Sequence, residues 1–94
     1  MKQIIRELLE QYEKDMDMPQ FAVQYYTDEY IISKHYGFIK WLVDNDKIKY
    51  YKVPEHIHIS DYSFETIHEW MTDNILMWLA IQDKPIEFLI SILK

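Results

Sequence analysis

The sequence contains no cysteine and only one glycine among its 94 residues. The lack of cysteine excludes a disulfide framework, a thiolate nucleophile and any cysteine-ligated metal site. The single glycine, Gly37, excludes glycine-rich phosphate loops, because backbone amides approach a phosphate closely only where side chains are absent. Arginine and alanine are also scarce, with one arginine beside nine lysines and two alanines beside 14 isoleucines. This bias favours an AT-rich genome, such as those of low-GC bacteria and their phages.

Long uninterrupted apolar runs are missing as well. The most apolar stretch, residues 75–93, is broken by charged residues and a proline at positions 83–87, and mid-membrane charges are too costly for it to span a bilayer. Residues 1–10 mix charges with apolar residues, unlike a signal peptide. At 49% apolar and 28% charged residues, the chain is too hydrophobic for a disordered tail. We therefore expect a soluble, cytoplasmic protein with a single compact domain over residues 1–94.

Hydrophobic periodicity predicts four helices and a small sheet. Apolar residues recur at helical spacing over residues 3–16 and 33–43, Ser63 is suited to cap a helix that runs to about residue 81, and Pro85 precedes a last helix over 86–93. Alternating or β-rich patterns over residues 20–26, 47–53 and 56–60 predict strands. Residues 28–33 fit a helix or a strand. The predicted class is α+β, a helix-dominated domain with an antiparallel sheet of two or three strands.

Residues 75–81 are apolar on every side of their predicted helix. A helix of that kind is buried, either in the core or in a subunit interface. A homodimer built on this segment and the last helix is therefore one possibility.

Charge is unevenly distributed along the chain, whose net charge is −6. Residues 34–53 carry five lysines and two aspartates, whereas the flanking segments are acidic. Within the acidic C-terminal segment, carboxylates recur every four residues at Asp61, Glu65, Glu69 and Asp73, and we call this set the acidic stripe. Like charges at that spacing destabilise a helix by about 0.2–0.5 kcal/mol per pair. The stripe is expected either to dock on lysines of its own chain, such as Lys40, or to meet a basic surface on another macromolecule.

The basic segment suggests the opposite kind of partner. Lysines interspersed with aromatic residues can hold single-stranded nucleic acid, and the candidates here are Lys34, Lys40, Lys47, Lys49, Tyr51 and Lys52. The segment lacks arginine, the flanking acids would repel phosphates, and Phe38 and Trp41 fit a core better. Nucleic-acid binding is therefore the alternative hypothesis.

The histidines offer a weak metal or acid–base motif. His56 and His58 would share one strand face, and His68 on the next helix has Glu69 beside it. This spacing is far less specific than a cysteine-based site, and whether these histidines bind a metal stays open. Because no nucleophile motif accompanies them, we expect a non-enzymatic protein with no cofactor.

Aromatic residues make up 16% of the chain, and tyrosine and tryptophan are enriched in interfaces. Tyr62 and Trp70 lie within the acidic stripe in sequence. The predicted protein-binding site comprises Asp61, Tyr62, Glu65, Glu69, Trp70 and Asp73. In composition alone, with no family motif, the chain resembles small accessory proteins of phages and mobile elements. That resemblance implies an inhibitor that blocks a nucleic-acid-handling host protein, of the anti-restriction or anti-CRISPR type, although a scaffold role fits the same residues.

Overall fold

A computed structural model of the chain describes residues 3–17, 32–49 and 63–94. These residues form four helices, α1 (Gln3–Asp15), α2 (Tyr36–Asp44), α3 (Phe64–Ala80) and α4 (Pro85–Ile92). Helix α2 packs against both α1 and α3, and α4 packs against α3. The core lies between these helices, and its fully buried side chains include Leu9, Phe38, Ile75 and Leu89.

The α+β prediction is wrong for the part of the chain that is described, because it is helical and contains no strand. The predicted strands at 20–26 and 56–60, and the ambiguous residues 28–31, lie outside the described residues. Of the strand predicted at 47–53, residues 47–49 are described, and they form one isolated antiparallel bridge between Ile48 and Leu93. The Lys49 amide donates to the Ile92 carbonyl and the Lys94 amide to the Lys47 carbonyl, each at 2.8 Å. The polar–apolar alternation in this part of the sequence corresponds to a buried Ile48 followed by an exposed Lys49.

Helices α1 and α2 meet through aromatic rings. Tyr12 of α1 contacts His35, Phe38 and Trp41 with ring centroids 5.6–5.8 Å apart. The Trp41 indole Nε1 donates a hydrogen bond to Asp15 at 3.1 Å, which ties the C-terminal end of α1 to α2. Phe38 and Trp41 are therefore core residues, as their sequence context favours.

Helix α2 is delimited by two local motifs. At its start, His35 Nδ1 accepts a hydrogen bond from the Phe38 amide at 3.1 Å, so His35 is the N-cap. At its end, the Lys47 amide donates to Leu42 and the Asp46 amide to Val43, which is a Schellman motif. Asp46 occupies the left-handed position that glycine usually takes, with φ of 57°. These caps make α2 shorter than the helix predicted at 33–43 on its N-terminal side.

Helices α3 and α4 begin where the sequence predicts. The Ser63 hydroxyl accepts a hydrogen bond from the Thr66 amide at 3.1 Å, and Pro85 occupies the first turn of α4. Helix α3 buries one stripe at four-residue intervals, made of Ile67, Met71, Ile75 and Leu79. None of the helices among the described residues is long and apolar enough to cross a membrane.

Gly37 lies in the first turn of α2, where an added Cβ would stand 2.8 Å from Tyr12 Oη and 3.0 Å from His35 Cε1. The glycine therefore permits the close approach of α1 to α2. The low helix propensity of glycine, which is visible in the sequence, gives no sign of this packing role. Alanine gains up to about 1 kcal/mol in helix propensity, but overpacking typically costs about 1–3 kcal/mol. Because the Tyr12 ring is confined by three other rings, we expect Gly37→Ala to destabilise the fold by about 1 kcal/mol in urea unfolding.

A double-mutant cycle with Tyr12→Phe tests the cause of that loss. Removal of the hydroxyl opens the space that the new methyl group needs, so Gly37→Ala should cost less in the Tyr12→Phe background than in the wild type. An equal cost in both backgrounds would show that the Tyr12 hydroxyl is not the obstacle.

The N-cap of α2 should make stability depend on pH. Burial lowers the pKa of His35, against a smaller opposing effect of its own backbone hydrogen bond, and protonated Nδ1 cannot accept from the Phe38 amide. The unfolded histidine takes up its proton near pH 6.5, so this contribution to stability is complete above that pH and decreases as the pH falls below it. Between pH 7 and 5 the free energy of unfolding of the wild type should fall. We expect that of His35→Asn, which keeps a capping oxygen, to fall by about 1 kcal/mol less. Lys49→Asn is the control and should keep the wild-type slope in thermal or urea unfolding.

Candidate functional site

The three described members of the acidic stripe lie on the solvent side of α3. Glu65, Glu69 and Asp73 are exposed, and they alternate with the buried residues Ile67 and Met71. Residues two apart on a helix are rotated by about 200°, so burial of one series turns the other outward. Asp61 and Tyr62 lie outside the described residues, and Trp70 is half-buried.

Lys40 of α2 neutralises one member of the stripe. Its ammonium lies 2.7 Å from Glu65 Oε1 and 2.9 Å from Asp44 Oδ2. The hydrogen bonds to Glu65 and Asp44 raise the pKa of Lys40 above its ordinary range. The expectation that the stripe docks on lysines of its own chain is therefore met at Glu65, which stays 63% exposed.

Asp44 links this ion pair to a buried histidine. His68 of α3 places Nδ1 2.7 Å from Asp44 Oδ1. Burial alone raises the pKa of the Asp44 carboxyl, but the hydrogen bonds from Lys40 and His68 outweigh that effect and hold the pKa below its ordinary value. The ionised carboxylate can only accept, so Nδ1 donates the proton. A carboxylate-oriented imidazole resembles a general base, but His68 is only 7% exposed, and here it joins α2 to α3.

Glu69 and Asp73 differ from Glu65 because neither forms an ion pair with a cation in the described segments. Both carboxylates act electrostatically on Tyr36, the first residue of α2, which is partly exposed. Burial raises the pKa of the Tyr36 phenol, and the charges of Asp73 and Glu69 raise it further. The phenol is therefore a neutral hydrogen-bond donor at physiological pH. Two unpaired carboxylates and a tyrosine hydroxyl together form a surface complementary to cationic or hydrogen-bond-accepting groups.

The residues of the nucleic-acid hypothesis are described only in part. Lys34 and Lys49 are exposed and Lys47 is half-buried. Lys40 binds two carboxylates of its own chain. Tyr51 and Lys52 lie outside the described residues, so the structure does not test whether the set forms one surface.

The metal hypothesis has one described member. His56 and His58 lie outside the described residues, and His68 binds Asp44. Within residues 3–17, 32–49 and 63–94, no group of three or more histidines and carboxylates could hold a metal ion.

Sequence reasoning missed three residues of the outer surface. Met77 and Ile81 are 66% and 78% exposed, whereas their all-apolar helix segment predicts burial in the core or in a subunit interface. Among the apolar residues of that segment, Ile75 and Leu79 are fully buried. Their four-residue spacing from Asp73 would have placed them on its side of α3. Tyr36 gave no signal, because its position beside the stripe depends on how α2 crosses α3.

The link through Asp44 should stabilise the fold at neutral pH. We expect Asp44→Asn to lower the free energy of unfolding by about 1–2 kcal/mol at pH 7, because the variant keeps an acceptor for His68 but loses the negative charge. The depressed pKa of Asp44 means that this stability is present above about pH 4, the ordinary value, and is lost as the pH falls further. The wild type and the variant should therefore converge near pH 3 in urea unfolding. The control Asp83→Asn removes an exposed carboxylate elsewhere and should match the wild type. If the free energies of unfolding of Asp44→Asn and the wild type differ by the same amount from pH 7 to pH 3, the stabilising role of the Asp44 charge is contradicted.

The described surface of α3 thus combines one neutralised carboxylate, two unpaired ones and an apolar pair in a single row, with Tyr36 alongside. Helix α3 holds this row rigidly, because its opposite side is anchored in the core. No protein-family model, curated protein or solved structure matches this chain.

Proposed function

We propose that this chain is a small protein-binding module whose acidic stripe docks on a basic surface of another protein. The observation that carries the proposal is the exposure of Glu69 and Asp73 without an ion-pair partner among the described residues. Repulsion between like charges one turn apart costs a helix stability. A cationic partner would remove that repulsion, and the field of the stripe would speed and orient its approach.

The setting of the two carboxylates supports recognition. Their helix is fixed by a buried stripe on one side and by the Lys40–Glu65 and Asp44–His68 contacts to α2. A preorganised surface loses little conformational entropy on binding, so more of the interaction energy appears as affinity. Tyr36 adds a partly exposed aromatic side chain of a type that interfaces concentrate.

The proposed target is a protein that handles nucleic acid. Carboxylates held about 6 Å apart along a helix axis present a row of negative charge, which is the feature that a phosphate-binding surface recognises. Occupation of that surface would exclude the nucleic acid, so the module would act as an inhibitor. An acidic chain whose amino-acid usage favours an AT-rich genome fits an accessory protein of a phage or mobile element that acts in the cytoplasm against host defence.

Paired charge-removing variants test this proposal. The wild type, Glu69→Gln/Asp73→Asn and the control Asp17→Asn/Glu87→Gln are each immobilised and exposed to a lysate of the organism that encodes the chain. The control removes the same charge from exposed carboxylates outside α3. We expect the wild type and the control to retain the same nucleic-acid-binding protein, and the first variant to bind it at least about tenfold more weakly.

The purified target then gives the functional result. The wild-type chain should displace its nucleic acid in a mobility-shift titration, and Glu69→Gln/Asp73→Asn should require higher concentrations. Equal retention by all three proteins, or capture of a target whose nucleic acid stays bound, would refute the proposed inhibition.

A further inference from the structure

Helix α3 carries one row of outward residues along its length. After Glu65, Glu69 and Asp73, the same four-residue spacing continues through Met77 to Ile81, the C-cap residue that follows α3. Each step of four residues rotates by only about 40° around the helix, so neighbouring members of the row adjoin one another while the whole row winds through about 160°. We call these five residues the outer ridge. Its first three residues are acidic and its last two are apolar.

The apolar end of the outer ridge is exposed for a geometric reason. Ile75 and Leu79, which alternate with it, are fully buried against the other helices. Met77 and Ile81 therefore point away from the core, with 66% and 78% of their surfaces exposed. Methionine is flexible and polarizable and adapts to irregular apolar pockets, so this end of the ridge is suited to insertion into a partner.

We propose that the binding surface extends beyond the acidic stripe to Met77 and Ile81, and that the partner is a protein with an apolar pocket beside its cationic patch. This inference rests on the proposed function, because Met77 and Ile81 continue the row that begins with the same carboxylates. Charge complementarity identifies the partner. The apolar pair lies between exposed carboxylates, with Asp73 on one side and Asp83 two residues beyond Ile81.

A second copy of the chain fits this surface less well. Each molecule carries a net charge of −6, and pairing through the apolar end would bring Asp73 and Asp83 of both copies to one interface. A basic partner instead gains from the same carboxylates. Self-association is therefore an outcome that the test must be able to reveal.

The test uses a synthetic helical peptide with lysines in one half and leucines in the other. A peptide of the same composition in scrambled order is the reference probe. The proteins are the wild type, Met77→Ser/Ile81→Ser, Glu69→Gln/Asp73→Asn and the α1 control Ile4→Ser/Met16→Ser, which changes exposed apolar residues in α1 and directly after it. All four substitutions of apolar residues are at exposed sites, so the variants should fold, and circular dichroism verifies this.

We expect the wild type and the α1 control to bind the segregated peptide more tightly than the scrambled one. Met77→Ser/Ile81→Ser should lose about tenfold in affinity and keep its salt dependence, because the charged contacts remain. Glu69→Gln/Asp73→Asn should also weaken binding, but by losing the salt-dependent part. The two variants thus report on the two halves of the outer ridge separately.

The other outcomes are distinct. If only Glu69→Gln/Asp73→Asn weakens binding, the extension to Met77 and Ile81 is wrong and the proposed function stands. If the wild type does not prefer the segregated peptide, the extension is wrong; if, in addition, removing the two carboxylates changes nothing, the proposed function fails as well. If light scattering finds a wild-type dimer that Met77→Ser/Ile81→Ser converts to a monomer, the apolar end serves a second copy, which overturns the inference.

Discussion

The Lys40 ammonium is the contact on which the arrangement of the surface depends. It holds Asp44 of its own helix and Glu65 of α3 at hydrogen-bonding distance, and Asp44 in turn accepts a hydrogen bond from His68. This chain of contacts fixes how α2 crosses α3. It also decides which carboxylates are left over: one lysine neutralises the first described member of the acidic stripe, and the next two have no such partner in the described segments.

The core determines the same surface from the other side. Ile67, Met71 and Ile75 are buried at four-residue intervals. Residues two positions away from them are forced outward, since they lie about 200° around the helix. Exposure of the outer ridge is therefore a consequence of packing, whatever side chains occupy it. Packing in the core therefore does not decide whether the residues at these positions are polar or apolar.

Local signals predicted the helices well where a single residue explains a boundary. The Ser63 hydroxyl and the Pro85 ring act on the backbone next to them, so the sequence reveals both helix starts. His35 was missed as a cap because imidazole is not among the preferred capping groups. The strand predicted at 47–53 depends on a partner distant in sequence, and Leu93 supplies one bridge to its described part. Alternation alone cannot distinguish a bridge from a sheet.

The acidic members of the site were predictable and the apolar members were not, for one physical reason. A carboxylate at helical spacing almost always faces water, so its sequence position shows its side of the helix. An apolar residue has no such bias, and the apolar turns of α3 predict burial in the core or in a subunit interface without showing which residues face outward. Only the positions of Ile75 and Leu79 in the core reveal that Met77 and Ile81 continue the acidic row. Exposed apolar surface costs free energy in water just as unpaired like charges do, and because both costs fall on one ridge, a single partner could relieve them together.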